Sequence, residues 1–286
     1  MTDQPEGVKV KFKKVRNKVK VRKNALTLDH IAGQIANNFV SAVYAAVGNK
    51  VITGMREGDY LEDVVDQGLE HDGMAEENFR LTKTKMEVHV GLDVSGSMYM
   101  RYGGNPIVPA ALSMRLMNKA LSIVTQVLPS GVFAYHLWLW STWNKCLTDQ
   151  NYGTNTNRVI WPANGNAVSE KDIDEYLTGI ARHEPSGFGG GTDLAPLIEQ
   201  IKRWEEEHSD ASAHRLNLII TDGALGDTEE ASQVQSWRGG KLMSVIFNIG
   251  EYRHDVPVGF FGYSGKVTEL QPFMEQMLAD FVQALY

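Results

Sequence analysis

The chain has 286 residues, of which 43% are hydrophobic and 22% charged, and these fractions are ordinary for a globular protein. No apolar run is long enough to span a bilayer, and no apolar segment follows the basic N-terminus, so we expect neither a membrane partner nor a secretory signal. The single cysteine, Cys146, excludes an internal disulfide and favours a cytoplasmic location.

The net charge of -7 is unevenly distributed along the chain. Residues 1–23 hold nine Lys or Arg and two acids, a formal charge of +7, while the other 263 residues hold 19 basic and 33 acidic side chains, a charge of -14. Residues 8–23 alternate apolar and basic side chains, which predicts a mobile or strand-paired arm. The arm binds nucleic acid phosphates, or it pairs with the acidic surface of this chain or of a neighbouring subunit. The second role is favoured, because Phe12 is the only aromatic residue of the arm.

Residues 27–50 predict a helix that Thr27 caps and that Gly48 and Asn49 end. Its predicted buried face consists of Leu28, Ile31, Ile35, Phe39, Ala42 and Ala46. The acidic stretch 54–80 resembles a linker, and we interpret its His71-Asp72 pair as chance, since a phosphohydrolase of that type needs further His and Asp ligands. We therefore divide the chain into a basic arm (1–24), a helical extension with an acidic linker (25–84) and a main domain (85–286).

From Met86 onward, strand and helix patterns alternate. The predicted strands are EVHVGLD, VFAYHLWLWST, RLNLIITD and KLMSVIFNIG, with RVIW and KVTEL as short additional strands. The predicted helices are PAALSMRLMNKALSIVTQVL, SEKDIDEYLTGI, LAPLIEQIKRWEEE, EEASQVQSWR and PFMEQMLADFVQAL. Few polar residues interrupt the strands, as is typical of strands buried on both faces. The order predicts a doubly wound, mostly parallel α/β sheet.

Two finer predictions concern side chains of this domain. The first of its helices has a predicted buried face of Leu112, Leu116, Ala120, Ile123 and Val127. His136 lies within a strand of aromatic residues, and we expect a core or helix-facing histidine rather than a metal ligand.

Oxygen-bearing side chains follow the predicted strands. The first strand ends in DVSGS, where Asp93, Ser95 and Ser97 alternate and so can point the same way. Thr192 ends a glycine-rich loop just before a helix, and Asp222 ends the strand RLNLIITD. Because function in such sheets is located at the carboxyl ends of the strands, we expect these five side chains to converge.

Two carboxylates and three hydroxyls form a set of oxygen donors without histidine or thiolate. Such a set favours a hard cation, Mg²⁺ first, with Mn²⁺ and Ca²⁺ as alternatives. Few charged ligands also leave water on the ion and a coordination position open.

The motifs DVSGS, GGGTD and ITDG, in this order, resemble the metal-ion-dependent adhesion site (MIDAS) of a von Willebrand factor A (VWA) domain. The resemblance covers roughly residues 85–286. It implies a VWA fold, a metal held by Asp93, Ser95, Ser97, Thr192 and Asp222, and a protein partner whose Asp or Glu completes the coordination. Intracellular relatives are thought to work as adaptors beside MoxR-type AAA+ ATPases, and this chain resembles that intracellular type.

Other uses of the same residues fit less well. Strand-end Ser and Asp also serve as caps without any metal. The glycine loop lacks the Lys-Ser/Thr of a phosphate-binding loop, and DVSGS is not the G-x-S-x-G of a serine hydrolase. We therefore expect a metal-dependent adaptor rather than an enzyme, with a nucleic-acid-associated or assembly protein as the alternative and a metal-dependent hydrolase as the least favoured.

Overall fold

The computed structural model describes residues 27–54, 85–100, 105–154, 168–182, 190–208, 212–223, 225–236, 241–250 and 255–284. The basic arm, nearly all of the linker predicted at 54–80, the His71-Asp72 pair and the strand predicted at 158–161 lie outside these residues. The predictions made for them stay predictions.

Six strands form one sheet in the order β3-β2-β1-β4-β5-β6. They are β1 (Met86–Asp93), β2 (Phe133–Trp140), β3 (Asn144–Cys146), β4 (His214–Thr221), β5 (Lys241–Ile249) and β6 (Phe261–Gly265). All neighbouring strands are parallel except β2 and β3, which are antiparallel. The chain adds β2 and β3 on one side of β1 and then crosses to the other side, where it adds β4, β5 and β6. The predicted doubly wound sheet is therefore confirmed, with its switch point between β1 and β4.

Seven helices surround the sheet in the described part of the chain. They are α1 (Leu28–Gly54), α2 (Gly96–Met100), α3 (Ile107–Val127), α4 (Glu170–Ala181), α5 (Ala195–His208), α6 (Thr228–Ser236) and α7 (Leu270–Ala284). Ser169 begins α4 with a capping box, in which its side chain accepts a hydrogen bond from the backbone N–H of Asp172. A 3₁₀ turn, Val267–Glu269, leads into α7.

The two faces of the sheet have separate cores. The larger core lies under α1, α3, α4 and α7, and the smaller one lies under α5 and α6. Ile35, Phe39 and Val43 of α1 are buried in the larger core, so α1 packs directly against the domain that follows it. By length and composition α3 could cross a bilayer, but most of its apolar stretch is buried inside this core.

Three local predictions were wrong. The strand predicted at KVTEL was wrong, because residues 266–270 form the 3₁₀ turn and the start of α7. The last strand is β6, which was not predicted because its two glycines weaken the strand pattern. α1 passes Gly48 and ends at Gly54. In α3 the predicted Leu112 and Val127 are exposed, because the buried stripe is displaced from the predicted face and follows Met114, Met117 and Leu121, where the helix packs against α1, α4 and the sheet.

Candidate metal centre

Asp93 anchors the site at the carboxyl end of β1. Its side chain is fully buried. One carboxylate oxygen, Oδ1, accepts a hydrogen bond from the backbone N–H of Ser95 at 2.7 Å, and Oδ2 accepts one from Thr221 Oγ1 at 2.7 Å. Burial raises the pKa of this carboxyl to about 7, although the hydrogen bonds from Thr221 and Ser95 oppose the rise. A cation beside Asp93 would favour its ionised form.

Two serine hydroxyls connect the β1 end to the β4 end. The Oγ atoms of Ser95 and Ser97 lie 3.0 Å apart, and Ser97 Oγ donates to Asp222 Oδ1 at 2.7 Å. Asp222 directly follows β4 and is buried. Two strand ends that are distant in sequence are thus joined through one hydroxyl.

Thr192 brings a third loop to the same place. A Cβ atom at Gly223 would lie 3.2 Å from Thr192 Oγ1 and 3.4 Å from Ser97 Oγ, so both hydroxyls flank this glycine. The carbonyl of Thr192 also accepts a hydrogen bond from Gly226 N at 2.9 Å. The structure therefore brings all five predicted residues to one edge of the sheet, and their role as metal ligands remains a prediction.

Two further residues, Thr221 and Asp227, support this arrangement, and neither was predicted from the sequence. Thr221 donates a hydrogen bond to Asp93. Its position directly before Asp222 is the sequence feature from which this role could have been predicted. Asp227 accepts from the backbone N–H groups of Leu194 and Ala195 at 2.8 and 2.6 Å, which caps the start of α5. Burial, with the nearby Asp227 charge, raises the pKa of Asp193.

The donor chemistry of the site fits a hard divalent cation. Its ligand candidates are carboxylate and hydroxyl oxygens, and two of them, Asp93 and Asp222, are acids. No group of three or more His, Cys, Asp or Glu with a ligand-like arrangement occurs in the described ranges. A metal here would therefore depend on Ser and Thr oxygens and on water, as Mg²⁺ commonly does.

No protein-family model and no curated protein sequence matches the chain. Among solved structures, a von Willebrand factor type A protein from Catenulispora acidiphila shares 16% identity, with coverage of 70% of this chain and 43% of that one and a TM-score of 0.45. Manganese-loaded TRAP from Plasmodium vivax shares 12% identity over 68% of this chain and 73% of that one, with a TM-score of 0.43. Proximal thread matrix protein 1 of the mussel byssus, with a zinc-occupied MIDAS motif, shares 13% identity over 70% and 46% of the two chains, with a TM-score of 0.45.

These similarities are distant, and the chain spans less than half the length of the first and third of these proteins. The fold itself rests on the strand order and on the positions of the strand-end loops. Both agree with what the resemblance of the three motifs implies. The chain therefore has a doubly wound, mostly parallel α/β fold, which is the kind of fold that the three motifs implied.

Proposed function

We propose that this protein is a metal-dependent protein-binding module. A divalent ion, Mg²⁺ first, binds among Asp93, Ser95, Ser97, Thr192 and Asp222, and an Asp or Glu of the partner completes its coordination. The observation that carries the proposal is the hydroxyl of Ser97, which lies 3.0 Å from Ser95 Oγ, donates to Asp222 and flanks Gly223 opposite Thr192.

The partner's acid follows from the coordination of the site. Mg²⁺ takes about six oxygen ligands, and the five residues fill at most five of these positions, so water occupies the rest. A carboxylate from the partner would displace such a water and bind the ion directly. The ion and the partner then strengthen each other's binding by the same factor.

A binding role is favoured over a catalytic one by the hydrogen bonds of the serines. Ser97 donates to a carboxylate of the site, and Ser95 is bonded to Ser97, so neither hydroxyl is paired with a histidine base in the described residues. The finer proposal is a cytoplasmic adaptor or assembly factor, whose partner is a MoxR-type AAA+ ATPase.

The direct test is titration calorimetry with Mn²⁺ and Mg²⁺. The wild type should bind one ion, Asp93→Ala should weaken binding by about 100-fold or more, and Thr192→Ala by about 10-fold, because water replaces a neutral ligand more easily than an anionic one. Matched controls are Asp149→Ala, an acid just after β3, and Thr178→Ala, a half-buried threonine of α4, neither of which should change metal affinity.

Partner binding is tested on the same variants. Capture of the AAA+ ATPase in Mg²⁺ should be lost in EDTA and in Asp93→Ala, while the circular dichroism spectrum of the variant stays that of the wild type. Capture that survives both changes would contradict the proposal. Metal-dependent hydrolysis of a phosphoester or peptide, lost in Asp93→Ala, would place the protein among the enzymes.

The second candidate is nucleic acid binding through residues 8–23, which the +7 charge of residues 1–23 favours. It predicts steep salt dependence of affinity for duplex or single-stranded probes and loss of that affinity on deletion of residues 1–23. Binding that persists without the arm would exclude it.

A further inference from the structure

The end of the sheet beside the metal centre has an unusually apolar surface. Six large apolar side chains are exposed in the described part of the chain, and four of them lie within nine residues of sequence. These are Val256, Val258, Phe261 and Tyr263, which are 39%, 76%, 62% and 44% exposed. Clustered exposure of this kind marks a protein interaction site rather than ordinary surface.

A cleft of about 710 Å³ lies next to these residues. Leu225, Ile246, Val256 and Tyr263 line it with apolar groups, while Asn248, Ser264, Asp255 and Glu269 provide polar groups. Val256 closes over β6 at Gly262, where an added Cβ would lie 2.4 Å from Val256 Cγ2. A cleft with mixed lining and this volume can hold more than one side chain of a peptide.

The cleft is continuous with the metal centre through the end of β4. Thr221 and Gly223 line the cleft, and the residue between them is Asp222. Thr221 also donates to Asp93, and Gly223 lies beside the hydroxyls of Ser97 and Thr192. A chain segment with one residue at the metal therefore has its neighbours at the cleft.

We infer that the cleft is a second subsite of the partner-binding surface, and that the partner segment carries a large apolar side chain within a few residues of its metal-binding Asp or Glu. This inference rests on the proposed function, since the metal supplies the first contact. β6 is the last strand of the sheet on this side, so an extended segment can also bond to its backbone. The apolar subsite supplies selectivity that an acid alone, present on every protein surface, does not.

The basic arm of this chain does not fit as the occupant. Residues 8–23 contain no Asp or Glu, so the arm has no carboxylate for the metal. Phosphate groups are also disfavoured at the cleft, because its described lining has two acids, Asp255 and Glu269, against one cation, Lys266. A segment with one acid for the metal and apolar residues for the cleft satisfies both subsites.

The test uses a phage library of random 12-residue peptides, selected on the immobilised full chain in Mg²⁺ and eluted with EDTA. Eluted peptides should contain an Asp or Glu with a large apolar residue within about four positions, which an extended chain spans in roughly 13 Å. A synthetic peptide of the selected sequence is then titrated by fluorescence polarisation.

Two cleft variants and one matched control decide the outcome. Val256→Lys and Tyr263→Ser should each weaken the peptide by about 10-fold or more and leave Mn²⁺ affinity unchanged. Leu112→Lys changes an apolar residue of similar exposure (41%) on α3 and should have less than about a 2-fold effect. Thermal unfolding of each variant checks that the fold is retained.

The possible failures are distinguishable. Metal-dependent peptides that bind the cleft variants as well as the control overturn the subsite and leave the proposed function standing. A selection in which EDTA elutes no enriched peptide, peptides without an acid, or peptides that bind Asp93→Ala as tightly as the wild type overturn the proposed function. A wild-type dimer that Val256→Lys dissociates would identify a second copy of the chain as the occupant and overturn the inference as stated.

Discussion

The two faces of the sheet differ in chemistry although they are built from the same strands. In β1 one set of alternate residues is apolar and joins the larger core: Met86, Val88, Val90 and Leu92. The other set is Glu87, His89, Gly91 and Asp93, of which His89 and Gly91 lie against Glu205 and Leu197 of α5. We call these the apolar face and the polar face. The polar face continues into the neighbouring strands, because the parallel register places His136 of β2 and Asn217 of β4 beside His89.

Buried ionic groups connect the strands of the polar face to α5. Arg215 Nε lies 3.2 Å from Glu87 Oε2 and 3.8 Å from Glu205 Oε1, and His89 Nε2 lies 3.8 Å from the same Glu205 oxygen. Trp138 Nε1 donates to His89 Nδ1 at 3.3 Å. Such contacts are directional, whereas burial on the apolar face is not. The apolar face therefore supplies most of the stability, while the polar face sets the position of α5 and of Asp93 at the end of β1.

The strongest test of the polar face is Arg215→Ala. It removes the guanidinium that lies beside the buried Glu87 and Glu205 and should lower the free energy of unfolding by about 3–5 kcal/mol, measured by urea denaturation. Arg203→Ala, which removes an exposed ion pair on α5, should have a much smaller effect, because solvent screens that pair. Replacing Glu87, Glu205 and Arg215 together by apolar residues should recover much of the loss. No recovery would mean that the ionic contacts themselves stabilise the fold.

On the apolar face, Leu218→Ala should lower the free energy of unfolding by about 3 kcal/mol, because Leu218 is fully buried in a central strand. Leu218→Met should cost less than about 1.5 kcal/mol, since the volume is nearly conserved. Equal losses from the two variants would show that shape, rather than burial alone, governs this face.

The polar face should also make stability depend on pH. Burial, aided by His208 and opposed by Asp149, lowers the pKa of His136 to about 4. Because His136 binds a proton more tightly in the unfolded chain, it does not reduce stability above pH 6.5. The free energy of unfolding then falls by about 2–3 kcal/mol as the pH drops from 6.5 to 4. Urea denaturation at several pH values in this range should show that the free energy of unfolding depends less on pH in His136→Leu than in the wild type. An unchanged pH dependence would assign it to other groups.

The smallest effect is expected on the outer side of α5. Glu206 pairs with Lys202 at 3.6 Å, but its side chain is 65% exposed. Glu206→Gln should therefore change the free energy of unfolding by less than about 0.5 kcal/mol. Glu205→Gln, one residue away but buried, should cost several times more. Similar costs at the two positions would contradict the view that burial makes the difference.

Local patterns were sufficient for most of the fold. The alternation of strands and helices, the helical start at Ser169 and the helix-facing position of His136 were predicted correctly. β6 and β3 were missed, because a strand with two glycines and a strand of three residues carry little periodicity. The convergence of Asp93, Ser97 and Asp222 was predictable, since parallel strands end at one edge of a sheet.

By itself, the sequence determined which residues end the strands and therefore which oxygen atoms meet at the candidate metal centre. Only the tertiary structure decided that Thr221 bonds to Asp93 and that Arg215 pairs with Glu87, each across 128 residues of sequence. It also placed a cleft with a mixed lining beside the candidate metal centre. The physical reason is that a strand end follows from local periodicity, whereas a cross-strand partner depends on which strands are neighbours and in what register.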